Sequence, residues 1–139
     1  MPIDILRAGP GNSGLFARIA PGVFDEAVDP ERLEAYLLAP GHVMVLARLG
    51  DLVVGQCAGV VHRHPDKPAE LYVDEVGVAD DFLRQGIARR MMASLFDWGR
   101  ELGCEDAWLG TECDNVPANT LYRALGGAED TISYYEFKL

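Results

Sequence analysis

The chain has 139 residues, enough for one domain, 1–139, with a single sizeable core. A hydrophobic fraction of 49% with 24% charged residues excludes long disorder and a disulfide-stapled miniprotein. The net charge of -10 repels nucleic-acid phosphates and anionic membranes, so neither is an expected partner; cationic small molecules, polyamines and basic peptides are favoured.

Residues 3–7 alternate and predict a first strand. Gly9, Pro10, Gly11, Asn12 and Ser13 form a turn cluster, and Asn12 or Ser13 can cap a short helix through Ala20. Asp29-Pro30-Glu31 is a helix start: a capping carboxylate, a proline in the first turn and an acid at the positive dipole end. That helix should run to about Ala39 and stop at Pro40-Gly41. Residues 43–49 and 52–62 are apolar runs joined by Gly50-Asp51, a hairpin signal, and residues 70–78 predict a third long strand. Ala88, Met91, Met92, Leu95, Gly99 and Leu102 then recur at helical steps, with Gly103 as the stop. Residues 107–112 read as a strand. Asp114 or Asn115 caps a helix running through Leu125, and residues 131–138 read as a last strand. Helices crossing over between strands imply a mixed α/β (α+β) sheet with at least one parallel pair.

Cys57, Cys104 and Cys113 are odd in number and include no Cys-x-x-Cys, which suits a reducing, cytoplasmic setting rather than a disulfide framework or zinc ribbon. Met1-Pro2-Ile3-Asp4 does not read as a secretory signal, and no apolar run is long enough to span a membrane. His62 and His64 could share a strand face as metal ligands, but no third ligand is signalled; a surface turn before Pro65 is the expectation, with no metal.

The chemistry concentrates where a strand ends in Val76-Gly77-Val78 and a loop leads through Arg84-Gln85-Gly86-Ile87-Ala88-Arg89 into a helix. Gly86 permits a tight turn and close backbone approach to a ligand. The helix start offers free N–H groups and a positive dipole end, and Arg84, Arg89 and Arg90 cluster there in an otherwise acidic chain. That combination suits a pyrophosphate. Neither Gly-x-Gly-x-x-Gly nor Gly-x-x-x-x-Gly-Lys-Ser/Thr is present, so a dinucleotide-binding or P-loop domain is unsupported.

These residues resemble the hallmark of the GNAT superfamily of acetyl-CoA-dependent N-acetyltransferases. That hallmark is a strand ending in Val, a short loop, then Arg/Gln-x-x-Gly-x-Gly/Ala opening a helix. Gly86 and Ala88 match its last two positions; its first is Leu83 here, with Arg84 beside it to supply charge. Asp114-Asn115-Val116-Pro117-Ala118-Asn119-Thr120-Leu121-Tyr122-Arg123-Ala124-Leu125-Gly126 resembles the second element, Asn-x-x-Ala-x-x-Leu-Tyr-x-x-x-Gly-Phe, with Gly127 at the final aromatic position. The two blocks and the strand order cover roughly residues 43–138. Residues 70–78 and 84–88, with Val53-Val54-Gly55 and Tyr122, look most like the aminoglycoside 3-N-acetyltransferase group.

The resemblance implies a single-domain fold with a twisted six- to seven-stranded mixed sheet and helices on both faces. It implies acetyl-CoA as co-substrate, a small amine as acceptor and a homodimer. Backbone N–H groups of Val76 and Val78 would meet the pantetheine arm and acetyl carbonyl, and those of Gln85, Gly86, Ile87, Ala88 and Arg89, beside Arg84, the pyrophosphate. Asn115 would contact the cofactor. Tyr122 falls at the general-acid position, with core packing on the sheet as its other reading. Glu75 falls where the aminoglycoside group carries an Asp, as a base working through water or as a carboxylate that only attracts the cationic acceptor. Strict strand alternation puts Asp74 on the opposite face. Asp25, Glu26, Asp29, Glu31 and Glu34 read first as a solvated, capped helix face, and otherwise as one wall of the acceptor site. The expected activity is acetyl transfer to a primary amine of an aminoglycoside- or polyamine-like acceptor. The alternatives are a non-catalytic acyl-CoA sensor and an acetyltransferase for a protein lysine or N-terminus.

Overall fold

The computed structural model describes residues 2–139. Six strands form one mixed sheet: β1 (Ile3–Ala8), β2 (Arg18–Ile19), β3 (His42–Leu49), β4 (Leu52–His62), β5 (Ala69–Val78) and β6 (Cys104–Trp108). Its order is β1-β3-β4-β5-β6, with β2 added to β4. β1, β3, β4 and β5 pair antiparallel in sequence, and β6 lies parallel to β5 at the free edge. Three helices complete the fold: α1 (Pro30–Leu38), α2 (Ile87–Glu101) and α3 (Val116–Ala124).

The helices begin where their residues dictate. Asp29 accepts a hydrogen bond from the Arg32 N–H at 2.8 Å, and Pro30 occupies the first turn of α1. Asn115 caps α3 through the Ala118 N–H at 3.2 Å. On α2, Ile87, Met91, Leu95 and Gly99 recur every fourth residue and are buried with Met92. Each large side chain of that stripe contributes about 1.5–3 kcal/mol. Gly99 is needed for close packing, since a Cβ there would lie 2.9 Å from Leu71 Cδ2.

The sheet separates two cores. One, under α2, holds Val45, Val54, Cys57, Leu71, Val73, Met91, Met92 and Leu95. The other, under α1 and the N-terminal loops, holds Phe16, Val23, Leu37, Met44, Leu46, Val53 and Ala58. Among the described residues no helix is long and apolar enough to cross a membrane.

Three expectations are corrected. Residues 13–16 form a single 3-10 turn rather than a helix to Ala20, because the chain must straighten to pair Arg18–Ile19 with β4. The strand expected at 107–112 is Cys104–Trp108, starting at once after Gly103 in its left-handed conformation (φ 90°). The last strand expected at 131–138 is not formed: residues 127–139 contain no regular structure and have no partner strand. The sheet therefore has six strands, the lower of the two expected numbers.

Candidate functional site

The site follows from the way β5 is paired. Near its start, Glu70 to Tyr72 are flanked by β4 on one side and β6 on the other. Beyond Tyr72 the pairing with β6 ends, while pairing with β4 continues to Val78. Residues 73–78 therefore present alternate backbone N–H and C=O groups to an open gap. At the fork, Tyr72 and Trp108 stack with ring centroids 4.3 Å apart. The sequence reading did not single out either ring; an exposed Trp on a short edge strand was the available signal.

A bulge sits at the start of the unpaired stretch. Gly59 faces Val73 and Ala58 faces Glu75, so Asp74 has no residue opposite. The slip shifts the phase of the strand. Val73 belongs to the core under α2, whereas Glu75 pairs with Ala58 of the core under α1. Strict alternation between Asp74 and Glu75 therefore fails at the bulge, and the Tyr36 hydroxyl feels both carboxylates, as it does Cys57 of the α2 core. Burial pushes that hydroxyl far above its ordinary range, and Asp74 and Glu75 push it further. Tyr36 donates to the Val43 carbonyl at 3.3 Å and meets His42 edge-on. Partial burial raises Glu75 above the usual carboxylate range, helped by Asp74 and Asp25. Asp74 and Asp25 thus lie close enough to Glu75 for like charge to oppose its ionisation.

The acidic segment divides. Asp29 and Glu31 serve α1 as cap and first-turn acid. Asp25, Glu26 and Glu34 instead line an open cleft of about 790 Å³, with Phe16, Phe24 and Leu33. The loop carrying Asp25 is tied to the sheet by Val23, whose carbonyl accepts from Gln56 Nε2 at 3.3 Å. A Cβ on Gly77 would lie 2.3 Å from that carbonyl, so only glycine lets the loop seat there. Gln56, a fully buried amide inside an apolar strand, is a site-shaping residue the sequence reading missed.

Across the sheet, Val76 and Val78 pack half-buried toward the α2 core. The chain then makes a 3-10 turn at Asp80–Phe82 and runs through Leu83 to Arg84 and Gly86, both in the left-handed region (φ 61° and 73°). Left-handed residues at this helix start turn successive N–H groups toward a common concavity, a shape that binds anions. Leu83, Arg84, Gln85 and Gly86 are exposed, no atom lies within 4 Å of a Cβ built on Gly86, and α2 begins at Ile87. Ala88 and Arg89 occupy its first turn. Arg90 is not part of this cluster: it donates to the Ile3 carbonyl at 3.0 Å, fastening α2 to β1.

Tyr122 projects from α3 against the α2 core, half-buried. Burial raises its hydroxyl pKa, with Cys57 adding to the shift. Cys57 is itself buried, pushed up to about 12, and its thiol contacts Met92 Sδ at 3.4 Å. Tyr122 and Glu75 thus pack on opposite faces of the sheet, and the gap beside residues 73–78 is the opening between those faces. Asn115, exposed at the far end of α3, spends its side-chain oxygen on the helix cap. His64 shares a 2.7 Å hydrogen bond with Glu70, and among the described residues no cluster of three metal-ligating side chains occurs.

The acetyltransferase (GNAT) family profile matches residues 14–126. N-alpha-acetyltransferase RimI of Mycobacterium tuberculosis is 32% identical over 104 residues, 75% of this chain and 63% of that protein. Mycothiol acetyltransferase of Pseudarthrobacter chlorophenolicus is 34% identical over 98 residues, 68% of this chain and 30% of that protein. The chain thus spans less than two thirds of the length of these relatives. An aminoglycoside N(6')-acetyltransferase type 1 of Serratia marcescens is 28% identical over 98 residues, 67% of either chain. Among solved structures, an aminoglycoside acetyltransferase from an uncultured soil metagenomic sample, in complex with sisomicin, superposes with a TM-score of 0.85 at 18% identity, covering 99% of this chain and 96% of that one. AAC(6')-Iy, in complex with a bisubstrate analogue of CoA and acetylneamine, superposes with a TM-score of 0.81 at 18% identity over the whole of both chains. The fold is shared with these structures, and the chain belongs to the acetyltransferase (GNAT) family.

Proposed function

With that membership as premise, we propose that the chain transfers the acetyl group of acetyl-CoA to a primary amine of a small, multiply cationic acceptor of aminoglycoside or polyamine type. The observation that carries the reading is the bulge at Asp74, which gathers Asp74 and Glu75 near Asp25 at the mouth of an open strand gap. A polycation is drawn to such a cluster, and the raised affinity of Glu75 for a proton makes it a better base than a solvated carboxylate. The names of the Serratia relative and of the sisomicin-bound structural neighbour point to the same acceptor class.

The residues present fit acetyl-CoA. The N–H groups of Gln85, Gly86, Ile87, Ala88 and Arg89 would hold its pyrophosphate in the open concavity at the start of α2, with Arg84 adding charge. The unpaired edge at Val76 and Val78 would align the pantetheine arm and hold the oxygen of the tetrahedral intermediate. Asn115 keeps its amide NH2 available for the cofactor. Glu75 would take a proton from the acceptor ammonium through one water, freeing the nitrogen lone pair to attack the thioester carbon. As the C–S bond breaks, Tyr122 would donate its proton to the sulfur, and the second proton that the acetylated nitrogen must shed would pass through water to restore the Tyr122 hydroxyl. Tyr122 is protonated at pH 7 like any tyrosine; burial raises its hydroxyl pKa further, so transfer to the sulfur is driven by the basicity of the departing thiolate. The reading includes a cytoplasmic setting, in keeping with three free cysteines, and a homodimer.

A protein amine as acceptor is the second reading, favoured by the 32% identity to an N-alpha-acetyltransferase. A non-catalytic acyl-CoA sensor is the third, motivated by Leu83 and Gly127 at positions where the family carries other residues. Release of CoA thiol from acetyl-CoA, measured across aminoglycosides, polyamines, amino acids and short peptides, separates them. Saturable turnover on the polycations is expected. Turnover on peptides alone selects the second reading, and acetyl-CoA binding with no turnover on any amine selects the third. Tyr122→Phe should lower kcat about 10- to 100-fold with acetyl-CoA affinity unchanged; undiminished kcat would remove Tyr122 from the mechanism.

A further inference from the structure

Two aromatic rings stand at the fork of the sheet and take no part in its cores. Tyr72 and Trp108 stack with centroids 4.3 Å apart and planes 28° from parallel. Among the described residues, neither ring belongs to the core under α2 or to the core under α1. Trp108 is 46% exposed, a large aromatic surface left in water.

Strand register fixes the side of the sheet that the rings occupy. Leu71 and Val73 both enter the core under α2, so Tyr72 between them faces the other side. Trp108 pairs with Tyr72 and shares its face. The core on that side, under α1, draws on β1, β3 and β4 and takes no described residue of β5 or β6. The stack thus lies on a stretch of sheet that the α1 core leaves uncovered. The bulge at Asp74 then sets its distance from Glu75. Tyr72 opposes Val60 and Glu75 opposes Ala58, so the two are successive positions on one face. Their separation is that of Val60 from Ala58, about 7 Å of strand rise.

We infer that the Tyr72–Trp108 stack seats a saturated ring of the acceptor, which makes the acceptor an aminosugar or aminocyclitol rather than a linear polyamine. The inference rests on the proposed acetyl transfer to a polycation and deepens it by choosing between the two acceptor types. A six-membered ring lying on the stack carries an exocyclic amine across the interval to Glu75. Its C–H bonds, polarised by neighbouring ammonium groups, meet the electron-rich faces of the two aromatic rings. Charge agrees. Asp74 is exposed between the stack and Glu75, and Asp25 lies close to Glu75, so further ammonium groups on the ring find carboxylates. A linear polyamine offers the same charges but no flat face. It must also freeze many torsions to lie across both aromatic rings, whereas a saturated ring arrives already rigid.

Steady-state kinetics with kanamycin and spermidine as acceptors test this. Wild type should prefer kanamycin in kcat/KM. Trp108→Ala should lower kcat/KM for kanamycin about tenfold, through KM, with the constants for spermidine and acetyl-CoA within about twofold. Trp108→Phe keeps an aromatic face and should recover most of the loss. The chain has two tryptophans, so in a Trp98→Phe background all tryptophan emission comes from Trp108. That emission should change saturably with kanamycin and little with spermidine; this titration decides alone should Trp108→Ala fail to fold. Equal losses on both amines, or kanamycin kinetics undisturbed by Trp108→Ala, overturn the ring seat and leave acetyl transfer to a polycation standing. No turnover on either amine, with acetyl-CoA bound, overturns that reading as well. Emission that follows protein concentration and ignores kanamycin assigns the stack to a second copy and overturns the inference.

Discussion

The two halves of β5 are built from similar residues and do different work. In Glu70 to Tyr72, neighbours on both sides satisfy the backbone, and Leu71 is buried against Gly59 and Gly99. In residues 73–78 one side is open, a bulge interrupts the register and glycine replaces a side chain at position 77. The first half spends its hydrogen bonds on the fold, and the second leaves one side of its backbone unpaired. A sheet that comes apart at one edge supplies polar backbone in a fixed orientation without loop flexibility.

Glu75→Gln tests the open half most severely. Loss of the base should reduce kcat on a polyamine by about 100-fold or more, with acetyl-CoA affinity retained. The same change should raise Tm at pH 7. The folded-state pKa of Glu75 lies above its ordinary value, so ionisation disfavours the fold at pH above that raised pKa, and the penalty vanishes once the group is protonated in both states. The gain in Tm should therefore disappear as the pH falls below the ordinary carboxylate range. Paired thermal melts at pH 7 and in acid check this, and equal melts at pH 7 would contradict the assigned environment.

Leu71→Ala tests the closed half. It should cost about 2–5 kcal/mol in urea unfolding, with kcat per folded molecule within about twofold of wild type. Gly77→Ala joins the two effects. A Cβ 2.3 Å from the Val23 carbonyl forces the loop at 20–29 away from the sheet, at about 1–3 kcal/mol in stability and with a raised KM for the amine, while KM for acetyl-CoA is spared. The smallest effect belongs to Asp74→Asn. Removing that charge lowers the Glu75 pKa, so the acid limb of the kcat/KM profile should move to lower pH with its plateau little changed. An unmoved limb would separate Asp74 from Glu75 electrostatically.

Local chemistry was legible in the sequence. Asp29, Pro30, Asn115 and the Gly86 helix start sit where capping and dihedral preference put them, because those effects act within one turn. The four-residue stripe of α2 marked its buried face for the same reason. β1, β3, β4 and β5 were found as apolar or alternating runs, while β2 was missed, and the register was not legible. Nothing local in Val73-Asp74-Glu75 marks a bulge; it arises because β4 must pair on both sides of Asp74 while Leu71 and Val73 stay in one core and Glu75 joins the other face. The small departure of Arg90 from the basic cluster was equally invisible, since its partner is the Ile3 carbonyl 87 residues away.

The sequence by itself thus determined the long strands and the helices, their caps, the left-handed turn at Gly86 and the family resemblance, all of which depend on neighbours within a few residues. Tertiary structure alone decided that Asp74 and Glu75 act on one tyrosine, that Gln56 and Gly77 seat the acidic loop, and that residues 131–139 do not return to their own sheet. Those outcomes depend on strand register and on which edge is left unpaired. The period of a single strand carries neither, because every register that keeps the same face buried looks alike along the chain.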